Sequence, residues 1–190
     1  MVAHSLGGGV TLQYAGTFPE KVSKIVTIEG LGGLGWSSGV RRPAHQRMRE
    51  WVESMRALEQ RRLHVYPSID AATNRMVDAN RHLTPELARH LTETGVRVGP
   101  DGGLTWKFDN FTHAGSPYEF NMEDARDLWN QIRCPILIIW GAESWGQRFE
   151  SLDLSAFHNY RSVMVENAAH WVHHDQFETF IGLVNEFLAE

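Results

Sequence analysis

A single cysteine, Cys134, occurs among the 190 residues, so no intrachain disulfide can form. It stands directly before Pro135 and an apolar run, the setting of a small buried hydrophobe. Such sparse use suits a reducing compartment, and a cytoplasmic location is the expectation on that ground. Long hydrophobic runs are missing too: no stretch approaches the roughly 18 apolar residues of a membrane-spanning helix. Met1-Val2-Ala3-His4-Ser5 has neither the basic nor the apolar region of a signal peptide. An excess of basic charge is absent, the formal net charge being -5, so nucleic acid is not an expected partner. No Rossmann fingerprint, phosphate loop, internal repeat or low-complexity tract occurs, and no cofactor is called for. His173, His174 and Asp175 cluster near His170 without a complementary set of metal ligands. They read as the polar start of a helix, and no metal is expected.

What is present is an ordinary globular mixture, 42% hydrophobic and 22% charged. Leu6, Val10 and Tyr14 recur at a spacing of four, which predicts a helix from Leu6 to about Thr17, ended by Pro19 and Glu20. The β-branched run from Val22 to Ile28 predicts a buried strand, and Gly30, Gly32, Gly33 and Gly35 then break regular structure. A second buried strand is predicted at Ile136–Trp140, closed by Gly141, and a weaker one at Ser162–Val165. Phe177 to Leu188 has the apolar spacing of a final amphipathic helix.

Between these lies a block richer in arginine, histidine and aromatics. Met48, Trp51, Val52, Met55 and Leu58 form a helical stripe. Ser68 and Thr84-Pro85-Glu86 mark two further helix starts, and Gly95 a stop. Val96 and Val98 against Leu104, Trp106 and Phe108 predict a hairpin, and Asn121 precedes another short helix. The layout is α/β with a parallel sheet and flanking helices. Residues 1–30 and 131–190 form the expected core, with a mainly helical cap inserted over 31–130.

Ala3-His4-Ser5-Leu6-Gly7 is a small-x-Ser-x-Gly pentapeptide between a strand end and a helix start. A serine at such a turn sits in a strained backbone, which small residues two positions either side accommodate. The helix that follows aims its unpaired N–H groups at the serine, and the N–H of Leu6 would donate to the oxyanion of a tetrahedral intermediate. Alanine replaces the usual first glycine. A glycine-flanked serine also occurs in plain turns, so the pentapeptide gains its weight from the helix and strand that follow.

His4-Ser5-Leu6-Gly7-Gly8 and Phe18-Pro19-Glu20-Lys21-Val22 resemble the nucleophile elbow and following helix of the α/β-hydrolase superfamily. Ala169-His170-Trp171-Val172-His173-His174 resembles its histidine loop, and Cys134-Pro135 through Gly141 the strand before its usual acid loop. The likeness covers nearly the whole chain and lies nearest the serine hydrolase-like branch. It implies Ser5 as nucleophile and His170 as base, in the family's order of nucleophile, acid, histidine. A loop histidine capping the final helix is the plain alternative for His170.

The family commonly places an aspartate three residues after the glycine at Gly141. Here that residue is Ser144, which carries no negative charge. Two replacements stand open. Glu29 follows the strand next to the nucleophile, about 4.8 Å away in a parallel sheet, and is preferred. Glu143 lies one residue before the usual position. Their plain alternatives are a hinge residue paired with a cap arginine and a solvated loop charge.

A serine nucleophile suits acyl transfer on an ester-type or related small apolar substrate. Dehalogenases and epoxide hydrolases of the superfamily use aspartate there, so Ser5 argues against both. Trp36, Trp51, Tyr66, Trp106, Phe108, Phe111, Tyr118, Phe120 and Trp129 would line an apolar pocket or simply pack the inserted block. The resemblance also implies strands before Met1, with a loop supplying a second oxyanion N–H, and Met1 reads as an internal methionine of a longer protein. The sheet edge so exposed would be open to self-association. The rival expectation is an inactive fragment or pseudo-hydrolase that binds a ligand or partner.

Overall fold

The computed structural model describes residues 1–31, 42–118, 120–144 and 153–190. Gly32, Gly33, Gly35 and Trp36 lie outside the described residues. The chain divides into two compact units, Met1–Trp36 with Phe120–Glu190, and Ser37–Glu119.

In the first unit the buried runs become strands of one parallel sheet: β1 (Val2–His4), β2 (Ile25–Ile28), β5 (Ile136–Gly141) and β6 (Tyr160–Val165), in the order β1-β2-β5-β6. Val2 pairs with Val26, Ile25 with Ile136, and Ile136 with Tyr160. Alternate side chains of the two central strands enter opposite cores, because strand residues point to the two faces in turn. Ile25, Ile136, Ile138 and Trp140 join Leu12, Ala15 and Trp129 on one face. Val26, Ile28, Leu137 and Ile139 join Val172, Phe180, Val184 and Phe187 on the other. Burial on both faces explains why these strands read as unbroken apolar runs.

Helices α1 (Leu6–Thr17) and α5 (Met122–Trp129) cover the first face. A short α6 (Val172–Asp175) and the terminal α7 (Phe177–Ala189) cover the second. Asn121 caps α5 by accepting from the N–H groups of Glu123 and Asp124. Placing α5 with the sheet moves the boundary of the second unit from 130 to 119, since Ala125 and Trp129 are core residues of the first.

The helix predicted from Leu6 forms, but its apolar stripe faces outward: Leu6 is 66% exposed, Val10 59% and Tyr14 39%. The buried side is Gly8, Thr11, Leu12, Ala15 and Gly16. Small residues are needed there because the backbones approach closely. A Cβ on Gly8 would lie 2.7 Å from Gly30 Cα, and one on Gly16 would meet the Leu128 carbonyl.

The second unit holds α2 (Ala44–Gln60), α3 (Ile69–Ala79), α4 (Pro85–Gly95) and a hairpin of β3 (Val96–Val98) and β4 (Leu104–Trp106). Ser68 and Thr84 cap α3 and α4 by accepting from Ala71 N and Leu87 N. Tyr66, Ala72 and Val96 form its small core, with Trp106 packed against it.

Candidate active site

Ser5 follows the last residue of β1 and precedes α1, with φ 53° and ψ -122°, a left-handed conformation that is costly for a residue with a side chain. Its N–H continues the ladder to Ile28 O at 2.8 Å, and its own carbonyl accepts from Gly8 N at 3.0 Å. The turn is thus fixed from both sides. Its hydroxyl takes no part in capping α1 and stays available. The Leu6 N–H, at the first turn of that helix, has no partner among the described residues.

The close packing under the elbow is not where the pentapeptide suggested. A Cβ on Gly7 would stand 3.8 Å from Ala3 Cβ, an ordinary contact. The tight approach is between Gly8 and Gly30. A Cβ on Gly30 would lie 2.6 Å from Gly8 Cα and 2.8 Å from Ser5 O. Gly30 is therefore required by the Ser5 turn although it lies beyond the following strand.

His170 sits in the loop between β6 and α6. Asn167, at φ 53°, turns the chain, and Ala169 N donates to Asp175 Oδ2 at 2.8 Å. Asp175 accordingly holds the histidine loop, a role its place in the sequence did not disclose. The His170 ring reaches Ser5, with Nε2 3.0 Å from Ser5 Oγ. Its Nδ1 is 3.5 Å from Glu29 Oε2, at the outer limit of a hydrogen bond.

Glu29 follows β2, at φ 54°, and its side chain is fully buried. Its N–H donates to Ile139 O at 3.0 Å, as that of Ser5 does to Ile28. One carboxylate oxygen, Oε1, accepts from Gly141 N at 2.7 Å, and the other accepts from Ser144 Oγ at 2.7 Å. Buried carboxylates are retained only with such partners. With a carboxylate beside Nδ1, that nitrogen carries the hydrogen and leaves Nε2 to accept a hydrogen bond from the Ser5 hydroxyl. Glu143, the other candidate acid, is exposed, and its N–H donates to Ala168 O at 2.9 Å.

Three more imidazoles lie close by. His4 is 4.6 Å from His170 and 4.8 Å from His173 between ring centroids, and His173 is 4.3 Å from His174. Burial lowers the pKa of all three, that of His173 to about 4, with the neighbouring imidazoles reinforcing the shift at His4 and His173. No group of three or more metal-ligating side chains is assembled among the described residues.

Among the aromatics named in the sequence, Tyr118 and Phe111 are exposed. Trp129 is a core residue of the first unit, stacked 4.9 Å from Phe157. Tyr66, Trp106 and Phe108 border a cleft of about 760 Å³ in the second unit, together with Arg75, His64 and His113.

A parallel sheet that presents a serine, a carboxylate and a histidine beyond its carboxyl ends has the organisation of an α/β hydrolase. The chain belongs to the alpha/beta hydrolase fold family, which matches residues 1–177. A serine hydrolase-like protein of Dictyostelium discoideum is 22% identical over 204 residues, covering 100% of this chain and 55% of its own length. Epoxide hydrolase 1 of Caenorhabditis elegans is 24% identical over 204 residues, covering 100% of this chain and 46% of itself. A hypothetical protein of Pseudomonas aeruginosa PAO1 superposes with a TM-score of 0.82 at 22% identity, covering 100% of this chain and 66% of that one. The chain spans about half the length of these curated relatives. No described helix is long and apolar enough to cross a membrane.

Proposed function

We propose that the chain carries a Ser5–His170–Glu29 triad for acyl transfer and that the protein hydrolyses an ester-type or related small apolar substrate. The observation that carries this reading is the continuous contact from Ser5 Oγ through the His170 ring to Glu29 Oε2, at 3.0 and 3.5 Å. His170 Nε2 takes the hydroxyl proton as Ser5 Oγ attacks the substrate carbonyl, and Glu29 faces the imidazolium that results. The Leu6 N–H donates to the oxyanion. Collapse expels the alcohol, protonated by His170, and leaves an acyl ester on Ser5. Water, deprotonated by the same imidazole, then releases the acid and restores the serine.

The hydroxyl nucleophile distinguishes this chemistry from that of epoxide hydrolases in the superfamily, which use a carboxylate at this turn. No reaction step calls for a cofactor. The residues of the second unit serve as the cap in this reading, and small molecules are the partners.

Fluorophosphonate labelling tests it, because the reagent phosphonylates an activated serine. Stoichiometric labelling that Ser5→Ala abolishes is the expected result, for this chain or an upstream-extended version. An extended protein that fails to label at Ser5 would overturn the enzyme reading in favour of a ligand- or partner-binding pseudo-hydrolase.

A further inference from the structure

His4 stands one residue before the nucleophile, and the acyl-transfer roles above leave it without a task. Its ring is half-buried and lies against the histidine loop. There Nε2 lies 2.7 Å from the backbone oxygen of His170, a short contact between residues 166 apart in sequence. A carbonyl oxygen can only accept, so the hydrogen resides on Nε2 and the imidazole donates. Burial favours the neutral ring, with His170 and His174 acting in the same sense, while the bond to the His170 carbonyl and the charge of Glu29 act in the opposite one.

The loop carrying His170 is thereby fastened at two adjacent points. Asp175 accepts from the N–H of Ala169, and His4 donates to the carbonyl of His170. The first bond is local to the loop. The second ties it to β1, the strand from which Ser5 emerges. Nucleophile and base thus share a mount: one is joined to His4 by a peptide bond, the other by a hydrogen bond.

We propose that His4 is a positioning residue, whose Nε2–H bond to the His170 carbonyl sets the distance between the His170 imidazole and Ser5. The inference rests on the reading of Ser5 as nucleophile and His170 as base. Proton transfer depends steeply on placement, and a displacement of about 1 Å can cost on the order of 10²-fold in rate.

The test compares two variants of the full chain. His4→Phe keeps a ring of similar size and loses the donor; His4→Gln keeps an N–H donor without the ring. The expected result is that His4→Phe labels with fluorophosphonate about 10- to 100-fold more slowly than the parent, yet still to completion. His4→Gln should recover most of the rate. A variant that merely misfolds would lower the final labelled fraction instead. Labelling of His4→Phe at the parental rate, or of His4→Gln as slowly as His4→Phe, would overturn the proposal. Should the parent and its upstream-extended version both fail to label at Ser5, the acyl-transfer reading fails, and the ¹³C shift of the His170 carbonyl still decides this one. That shift is expected to move in His4→Phe and hold in His4→Gln; no movement in His4→Phe refutes the bond.

Discussion

Ser144 donates its hydroxyl to Glu29, Oγ to Oε2, at 2.7 Å. The serine occupies the position where the superfamily commonly has its acid, and the glutamate occupies the end of the neighbouring strand. The two residues still meet, with their parts exchanged: the carboxylate comes from β2, and the β5 side supplies a hydroxyl and the Gly141 N–H that hold it. Both faces of the carboxylate are engaged before the histidine is counted.

Replacing the acid should therefore discriminate sharply between the two candidates. Glu29→Gln is expected to lower kcat by about 10³- to 10⁴-fold, through loss of the charge that stabilises the imidazolium and fixes its tautomer. Glu143→Gln should stay within about threefold, because Glu29 is the carboxylate that stands beside His170 Nδ1. Steady-state hydrolysis of a chromogenic ester would check this, and a larger loss in Glu143→Gln would reverse the assignment.

The exchanged parts predict a rescue. In a Glu29→Gln background, Ser144→Asp should restore kcat by about 10-fold or more, since a carboxylate then returns within reach of His170. Ser144→Asp alone should be harmful, because it sets a second negative charge against buried Glu29. A double variant no faster than Glu29→Gln would show that the β5 loop cannot present an acid in this chain.

Gly30→Ala should destabilise the protein by about 1–3 kcal/mol, the usual cost of forcing atoms into a filled space. The added methyl meets backbone, at Gly8 Cα and Ser5 O, and neither can rotate away. Urea unfolding of the variant would measure the loss. An unchanged midpoint would mean that the elbow yields more readily than its packing implies.

The half-buried histidines predict an acid-sensitive fold. His173 titrates near 4 when folded and near 6.5 otherwise, so below pH 6.5 protons bind the unfolded chain first. The stability it contributes is complete above pH 6.5 and is lost as the pH falls toward 4. One proton corresponds to at most about 1.4 kcal/mol per pH unit, reduced here by screening because the ring is half-buried. His4 and His174 act in the same direction. The urea midpoint should drop between pH 7 and pH 5, and less so in His173→Phe; equal drops would remove His173 from the account.

The places of Ser5, at a strand-to-helix turn, and of Glu29, at the end of the next strand, were legible in the sequence because each depends on local order. Burial in α1 was not. Its Leu6, Val10 and Tyr14 had the right spacing for a core face, yet the helix packs through Gly8, Ala15 and Gly16, since small residues permit the close approach that larger ones prevent. Gly30, Asp175 and His4 escaped for a related reason. Their partners lie across the fold or around a loop, and no periodicity announces a hydrogen bond to a distant carbonyl. The inserted block, expected over 31–130, is Ser37–Glu119; its far limit moved most because the amphipathic pattern of α5 shows that it packs, without showing against what.

Taken along the sheet, β1, β2, β5 and β6 lead into Ser5, Glu29, Ser144 and His170 in turn. Sequence order and strand order coincide, while the side-chain contacts run from Ser5 to His170, then to Glu29 and Ser144. Adjacent strands are held about 4.8 Å apart by their amide bonds, so the backbone acts as a ruler whose graduations the reacting groups inherit. Exchange of residues between neighbouring graduations leaves that scale intact, which makes the acid a movable part on a fixed gauge.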